Sequence, residues 1–309
     1  MLSSYKYNQS NKYTMQRKRK RRDSPLKDIM HYARRNKRFK DLYKHLKTLD
    51  TLVGLKELKE SIVSQIQFII TTGGQLDSHF LNTSLVGPPG TGKTTVAEIL
   101  HKIWISLNIF NNDMPFTILH RSDFIGSYMG HTANKTRKIL NKFAGSVIFI
   151  DEAYSLMNGD KDEYGKEALD QLCAFMGEEK SNTIVIIAGY ENEINSQFFQ
   201  ANPGLKRRFG WEFKISAYSF DELFQIFKRQ LKECGWEVDE EAKDLFRKHF
   251  KSFKNAGGDT ENICFQAKLR YSKENWMKKK QTKHLKYTHV SSAMESYFKK
   301  EPERLSMYI

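Results

Sequence analysis

Cysteine is scarce in this chain: three residues in 309, Cys173, Cys234 and Cys264. They stand far apart, without a spacing that suits metal ligation, so neither a disulfide framework nor a zinc site is expected; they read as reduced thiols in a cytosol-like compartment. Long apolar runs are lacking too, and none approaches the roughly 20 residues that span a bilayer. An intracellular, soluble protein without membrane contact is therefore expected. The opening "MLSSYKYNQS" has no apolar leader segment, which argues against export. Acidic residues are rare at the start: over residues 1–48, 3 Asp/Glu face 16 Lys/Arg, which places +13 of the +15 net charge there and leaves +2 for the other 261 residues. The charge thus reads as that of an appendage rather than of the body, which weakens any reading of the whole chain as a basic nucleic-acid binder.

What is present falls into segments. Residues 1–23 are polar and carry "RKRKRR" at 17–22, a self-repelling run expected to be a disordered basic tail. Ser24-Pro25 looks like a helix cap with proline at the first helical position. Leu26, Ile29, Met30, Ala33, Leu42, Tyr43, Leu46 and Leu49 then recur at helical spacing between cations, predicting one basic amphipathic helix over 24–49. From 50 to 217 the pattern alternates strand and helix, with buried strands expected at 84–86, 116–119, 147–150, 184–188 and 211–215. After Tyr218 the strands stop, and helical patterns at 220–234, 239–253, 259–278 and 288–299 predict a small all-helical domain over 218–300, with 301–309 as a C-terminal tail. The fold class is α/β: a five-stranded parallel sheet flanked by helices, followed by a helical lid.

Between the first strand and the helix "TVAEILHKIW" lies Gly87-Pro88-Pro89-Gly90-Thr91-Gly92-Lys93-Thr94-Thr95. Gly-x-x-x-x-Gly-Lys-Thr in that context is the phosphate-binding P-loop: glycines let backbone N–H groups wrap phosphate oxygens at a helix N-terminus. Lys93 would reach the β- and γ-phosphates of ATP, and Thr94 would ligate Mg²⁺. The strand "SVIFI" ends in Asp151 and Glu152, at the sheet edge where ligands of open α/β folds sit. Asp151 would hold Mg²⁺, and Glu152 is the candidate general base for the attacking water.

One stretch resists this scheme. In "DFIGSYMGHTANKT", residues 123–136, the large apolar pair Tyr128-Met129 is bracketed by Gly126 and Gly130 and surrounded by polar residues. Neither a helical stripe nor a strand alternation runs through it.

The ordered set "LVGLKELK", "GPPGTGKTT", "GSYMGHTANKT", "FIDEAYSL", "GKEALDQL", "IIAGYENE" and "NPGLKRRF" resembles AAA+ ATPases, in particular the subfamily of red-type rubisco activase and stage V sporulation protein K-like proteins. The resemblance runs over residues 52–298 and is absent from 1–45. It implies an ATP-hydrolysing, homo-oligomeric ring, commonly a hexamer, with ATP held between neighbours. Val53 and Gly54 would flank the nucleotide, and Tyr190 falls at the polar sensor position after the fourth strand, with Asn192 a poorer stand-in. Of Arg207 and Arg208, the register favours Arg208 as the arginine offered to the neighbour's ATP. In the lid, "NAGGDTENICFQA" sets Gly257-Gly258 where the subfamily usually has a sensor arginine; such glycines permit close approach to adenine, and Asp259 is expected to cap the following helix. The resemblance also accounts for Tyr128-Met129-Gly130: it matches the pore-loop triplet that grips an extended polypeptide, with an aromatic face and a thioether suited to any side chain.

The expected function is thus a ring motor that remodels a protein client by pulling it through a pore. Nothing in residues 50–300 specifies that client. The alternative is a nucleic-acid-directed loader or translocase using the basic tail on phosphates. The run at 17–22 reads equally as a solvated tail, a nuclear import signal, or a contact for nucleic acid or an acidic partner, so cytoplasm and nucleus both stay open.

Overall fold

A computed structural model describes residues 24–73, 78–108, 114–128, 130–159, 161–178, 182–278 and 282–299. The tail at 1–23 with its basic run, Met129, and the tail at 301–309 lie outside the described residues.

Five strands form one parallel sheet: β1 (Thr83–Val86), β2 (Phe116–Leu119), β3 (Val147–Ile150), β4 (Ile184–Gly189) and β5 (Trp211–Lys214), in spatial order β2-β3-β4-β1-β5. Alternate residues of the central strands feed opposite faces, so both faces must be apolar and both must be covered. Val147, Phe149, Ile184 and Ile186 belong to one buried cluster, while Ile148, Ile150, Val185 and Ile187 belong to the other.

The first face is covered by α1 (Pro25–Arg35), α2 (Lys40–Thr51), α3 (Lys56–Thr71) and α4 (Lys93–Ser106). This corrects two expectations. The helix predicted over 24–49 is two helices, parted by Asn36, whose extended backbone and side-chain bond to the Arg38 N–H start a 3₁₀ turn. Nor is this segment an appendage. Leu26, Ile29, Ala33, Leu42, Leu46 and Leu49 are buried in the same cluster as Val147 and Phe149, and their burial anchors a segment whose cations point outward.

The second face carries α5 (Arg121–Phe124), α6 (His131–Lys142) and α7 (Glu163–Met176); α8 (Glu191–Glu193), a π-helical turn over 194–199 and α9 (Pro203–Lys206) follow β4. The lid is built from α10 (Phe220–Glu233), α11 (Lys243–Lys248), α12 (Ala256–Asn275) and α13 (Tyr287–Lys299) around its own cluster of Phe224, Phe227 and Phe246. It is not purely helical: β6 (Glu237–Val238) and β7 (His284–Leu285) pair in parallel. Two residues per strand are too few for a periodic signal, and the pairing is non-local, so the sequence pattern misses it.

Candidate active site

All five strands are parallel, so their carboxyl ends share one edge of the sheet. The loop from Gly87 to Gly92 leaves β1 there, Asp151 and Glu152 leave β3, and Tyr190 leaves β4. Because β4 lies between β3 and β1, Tyr190 stands between the phosphate loop and the acid pair.

Glycine is obligatory at two points of the loop. Gly90 has φ +68°, and a Cβ there would lie 1.8 Å from the Asn255 carbonyl oxygen of the lid. A Cβ on Gly87 would meet the Ile215 carbonyl oxygen at 2.5 Å. The Gly90→Ala variant is expected to lose both thermal stability and nucleotide affinity. Left-handed backbone alone costs a side-chain-bearing residue about 1–2 kcal/mol, and the clash pushes the lid off the loop. Thermal unfolding with and without ATP checks this; wild-type values in both would show that the lid does not rest there.

Lys93 opens α4, and its ammonium donates to the carbonyl oxygens of Gly87 (3.0 Å) and Pro88 (2.9 Å). Burial lowers its pKa, and the carboxylates of Asp151 and Glu152 pull it back up. It also lies 5.4 Å from the centre of the Tyr190 ring. The Thr94 hydroxyl donates to Asp151 Oδ2 at 3.3 Å. A hydroxyl and a carboxylate side by side are hard oxygen donors of the kind Mg²⁺ takes, so this pair fits that ion. The described residues contain no cluster of three or more His, Cys, Asp or Glu side chains that would hold a metal by protein ligands alone.

Glu152 sits in the left-handed region at φ 48°, unusual for a side-chain-bearing residue. Its neighbour Tyr154 was not singled out by the sequence, although it lies in the same "FIDEAYSL" stretch. The Tyr154 ring stacks on Tyr190 with centroids 5.4 Å apart, and its phenol stands close enough to the Glu152 carboxylate to feel its charge. Burial first, then the Glu152 charge, pushes the Tyr154 phenol well above its usual value, so it stays protonated beside that carboxylate. Gly189 makes room for it, since a Cβ there would be 2.8 Å from the Tyr154 ring.

A second missed residue is Arg121. From the end of β2 it donates to the carbonyl oxygens of Ser155 (2.7 Å) and Leu156 (2.5 Å) and to Asp162 Oδ2 (2.8 Å). Burial raises the pKa of Asp162, but the Gly165 N–H, Arg121 and the Asn158 N–H together hold it below the usual carboxylate range. The turn that follows Glu152 is thereby tied to the segment leading to Tyr128. No local pattern marks this arginine.

Beside the P-loop a cleft of about 230 Å³ opens between the sheet edge and the lid. Val53, Gly90, Thr91, Gly92, Thr95 and Gly257 line it, with Leu52, Leu55, Ile226, Arg229 and Gln230 as further walls that the sequence did not single out. Gly54 and Gly258 are not in the lining; a Cβ on Gly54 would meet Glu222 Oε1 of α10 at 2.1 Å, so this glycine admits the lid. Gly257 N–H donates to the Gly90 carbonyl oxygen at 3.0 Å, and the Tyr218 hydroxyl to that of Thr91, also at 3.0 Å. Burial, with the Glu222 charge, pushes the Tyr218 phenol up to about 12. Asp259 does not cap a helix that follows it. The helix starts three residues earlier, at Ala256, and the buried carboxylate reaches back to the N–H groups of Lys254 and Asn255 and accepts the Tyr297 hydroxyl.

Arg208 and the Tyr128 loop lie outside this cleft. Arg208 follows α9, and its Nη1 donates to the Gly204 carbonyl oxygen at 2.9 Å. Arg207 beside it is exposed. Tyr128 is 69% exposed and touches the His131 ring edge-on at 5.5 Å; Gly130, at φ 76°, starts α6.

A glycine-wrapped loop capped by a lysine, acids across one strand from it, and a helical lid docked on the loop backbone are what a nucleoside triphosphate requires at a sheet edge. The class is that of lidded P-loop nucleoside triphosphatases. Residues 83–216 match the family described as ATPase family associated with various cellular activities (AAA). The chain is 34% identical over 215 residues to stage V sporulation protein K of Bacillus subtilis, covering 68% of this chain and 66% of that protein. It is 33% identical over 234 residues to the chromosomal CbxX protein of Cupriavidus necator, covering 72% and 73%. The matched stretch thus spans just under two thirds of the sporulation protein's own length. Among solved structures, the FIGL-1 AAA domain in complex with ADP superposes with a TM-score of 0.57 at 20% identity, covering 80% of this chain and 83% of that one; this likeness speaks to the fold alone. The chain belongs to the AAA ATPase family, in the subfamily of stage V sporulation protein K and the CbbX-type proteins. Among the described residues, no helix is long and apolar enough to cross a membrane.

Proposed function

We propose that this chain is the ATP-hydrolysing subunit of a homo-oligomeric ring, of the hexameric kind, that remodels a protein client by drawing it through the central pore. The observation that carries the reading is the division of the molecule. The nucleotide machinery is gathered at one sheet edge, while a large aromatic, Tyr128, stands in solvent on a glycine-bracketed loop where no core needs it. Aromatic residues are enriched at protein interfaces relative to the rest of the surface.

In this mechanism Lys93 exchanges its two loop carbonyls for phosphate oxygens, and the backbone N–H groups of 90–94 hold the rest of the triphosphate. Thr94 and Asp151 would hold Mg²⁺, which supplies charge neutralisation at the phosphates. Glu152, with the Tyr154 phenol beside it, orients the attacking water and takes its proton. Tyr190, stacked on Tyr154 and facing Lys93, is placed to sense whether the lysine is engaged. Arg208, lying outside its own cleft, serves the neighbouring subunit. The Arg121 contacts connect the turn after Glu152 to α5, from which the Tyr128 loop departs.

The Tyr128→Ala variant tests the reading. It is expected to fold, assemble and turn over ATP while client unfolding per ATP falls several-fold, because each engaged ring contributes about 0.5–1.5 kcal/mol beyond its buried area. Tyr128→Phe should behave as wild type, since grip uses the face and not the hydroxyl. A Tyr128→Ala protein that melts far below wild type would instead make Tyr128 a core residue.

A further inference from the structure

Next to the Tyr128 loop, between α5 and α6, lies an open concavity of about 690 Å³. Its α6 wall is basic and regular. His131, Lys135, Lys138 and Lys142 follow one another at helical spacings of four, three and four, and all four line the concavity. The other face of the same helix buries Thr132, Thr136 and Leu140. The stripe is therefore an outward surface of this helix, on the side that faces the concavity.

The side chains on it are not equivalent. Lys135 is committed to the fold, its ammonium donating to the carbonyl oxygens of Ser122 (2.6 Å) and Ile125 (2.7 Å). The Asp123 carboxylate, the one acid of the lining, is engaged by the His120 N–H at 2.8 Å. Lys138 and Lys142 are exposed and have no carboxylate partner among the described residues; Lys142 leans over the Phe143 ring at 5.1 Å. Arg137, on a different side of the helix, is already paired with Glu178. Two uncompensated ammonium groups thus stand along a groove with an exposed aromatic at its mouth.

We propose that this groove receives an acidic stretch of polypeptide, so that the client is engaged at a segment rich in Asp or Glu. The proposal rests on the reading of Tyr128 as a client grip. The aromatic supplies contact that is indifferent to sequence, and the lysines supply the charge selection that it lacks. Exposed ion pairs are individually weak and screened by salt, so the stripe biases which segment enters rather than locking it in place. Nucleic acid fits less well. Its binding is built from roughly six to ten phosphate contacts, and single strands stack on successive aromatics. This groove offers two free ammonium groups and one ring.

The test uses the full chain with Glu152→Gln, loaded with ATP, and labelled unstructured peptides of equal length composed of Glu/Ser, Gln/Ser or Lys/Ser. An oligothymidylate of matching charge is the fourth probe. Fluorescence anisotropy should show the acidic peptide binding at least about tenfold more tightly than the neutral one at low salt, with the gap closing as salt rises. Lys138→Gln with Lys142→Gln should erase that preference, Lys138→Glu with Lys142→Glu should transfer it to the basic peptide, and Tyr128→Ala should weaken all three peptides alike. Equal affinity for the three peptides, with Tyr128→Ala still weakening them, overturns the groove and leaves the grip standing. Failure of every peptide to bind overturns both. An oligothymidylate that displaces the acidic peptide and is itself lost in the double lysine variants assigns the groove to single-stranded nucleic acid instead. The peptide preference of the Glu152→Gln chain with its lysines intact decides the matter even if a charge-reversed variant fails to fold.

Discussion

Replacing Arg208 by alanine is expected to lower ATP turnover by about 10³–10⁵-fold, the range for an arginine that stabilises a transferring phosphate, while nucleotide binding by the same subunit persists. The expectation follows from where this side chain is not. Arg208 is absent from the lining of its own cleft and is held at the end of α9 by the Gly204 carbonyl oxygen. Its Nη2 lies 2.7 Å from where a Cβ on Gly177 would be, so the guanidinium packs over the C-terminal cap of α7. Its Nε is buried without a hydrogen-bond partner among the described residues, a cost that a structural arginine would normally avoid. An arginine left partly unsatisfied outside its own cleft suits a role completed across an interface. Two consequences can be measured. Activity per subunit should rise with protein concentration as rings form. An inactive Arg208→Ala chain mixed with an inactive Lys93→Ala chain should also recover hydrolysis, because some mixed interfaces combine an intact P-loop with an intact arginine. Mixed rings that form and stay inactive would remove the trans role, and exposed Arg207 would be the next candidate.

Glu152→Gln should reduce hydrolysis by about 10²–10⁴-fold, the typical contribution of a positioned general base, and leave ATP binding intact. The amide has the shape of the carboxylate, so the left-handed backbone at φ 48° and the contact with Tyr154 are kept, and only the proton acceptor is lost. In the proposed mechanism phosphate binding depends on Lys93, Thr94 and the loop backbone, none of which contacts the substituted atom in the described hydrogen bonds. Single-turnover hydrolysis and equilibrium binding of a fluorescent ATP analogue separate the two effects. Near-normal turnover would end the assignment of Glu152 as base. The same variant, arrested with ATP bound, is also the means of capturing a client.

Tyr154 offers a smaller but sharper check of the same site. Tyr154→Phe keeps the stack on Tyr190 and removes the hydroxyl that stands beside Glu152, so it should lower turnover with little change in ATP affinity. A fall in affinity instead would make the hydroxyl a binding group.

How much of this could be read along the chain depended on whether the signal was local. Strands β1 to β4 are found within a residue or two of where the pattern put them, most plainly β3 and β4, which are buried on both faces and therefore apolar throughout, whereas β2 lies at the sheet edge with Ile118 exposed. The P-loop was legible because its glycines and lysine meet one ligand within a single turn. The two helices at the N-terminus show the limit of such reasoning. Their periodicity was visible, but periodicity does not say what an apolar stripe is buried against, and the charge count drew attention away from the core they complete. Tyr190 stands between the loop and the acids only because β4 inserts between β3 and β1, a pairing order that no local window encodes. Arg121 reaches its partners 34 to 41 residues away, Asp259 turns backward to the preceding N–H groups, and β6 finds β7 across the lid. Sequence by itself determined the strands, the phosphate loop and the acid pair, whose physics is complete within a few residues. Only the tertiary structure decided which side chains surround Glu152, where Arg208 rests, and that the cations of α6 line a groove beside Tyr128, since each of these depends on segments brought together by burial of a shared core.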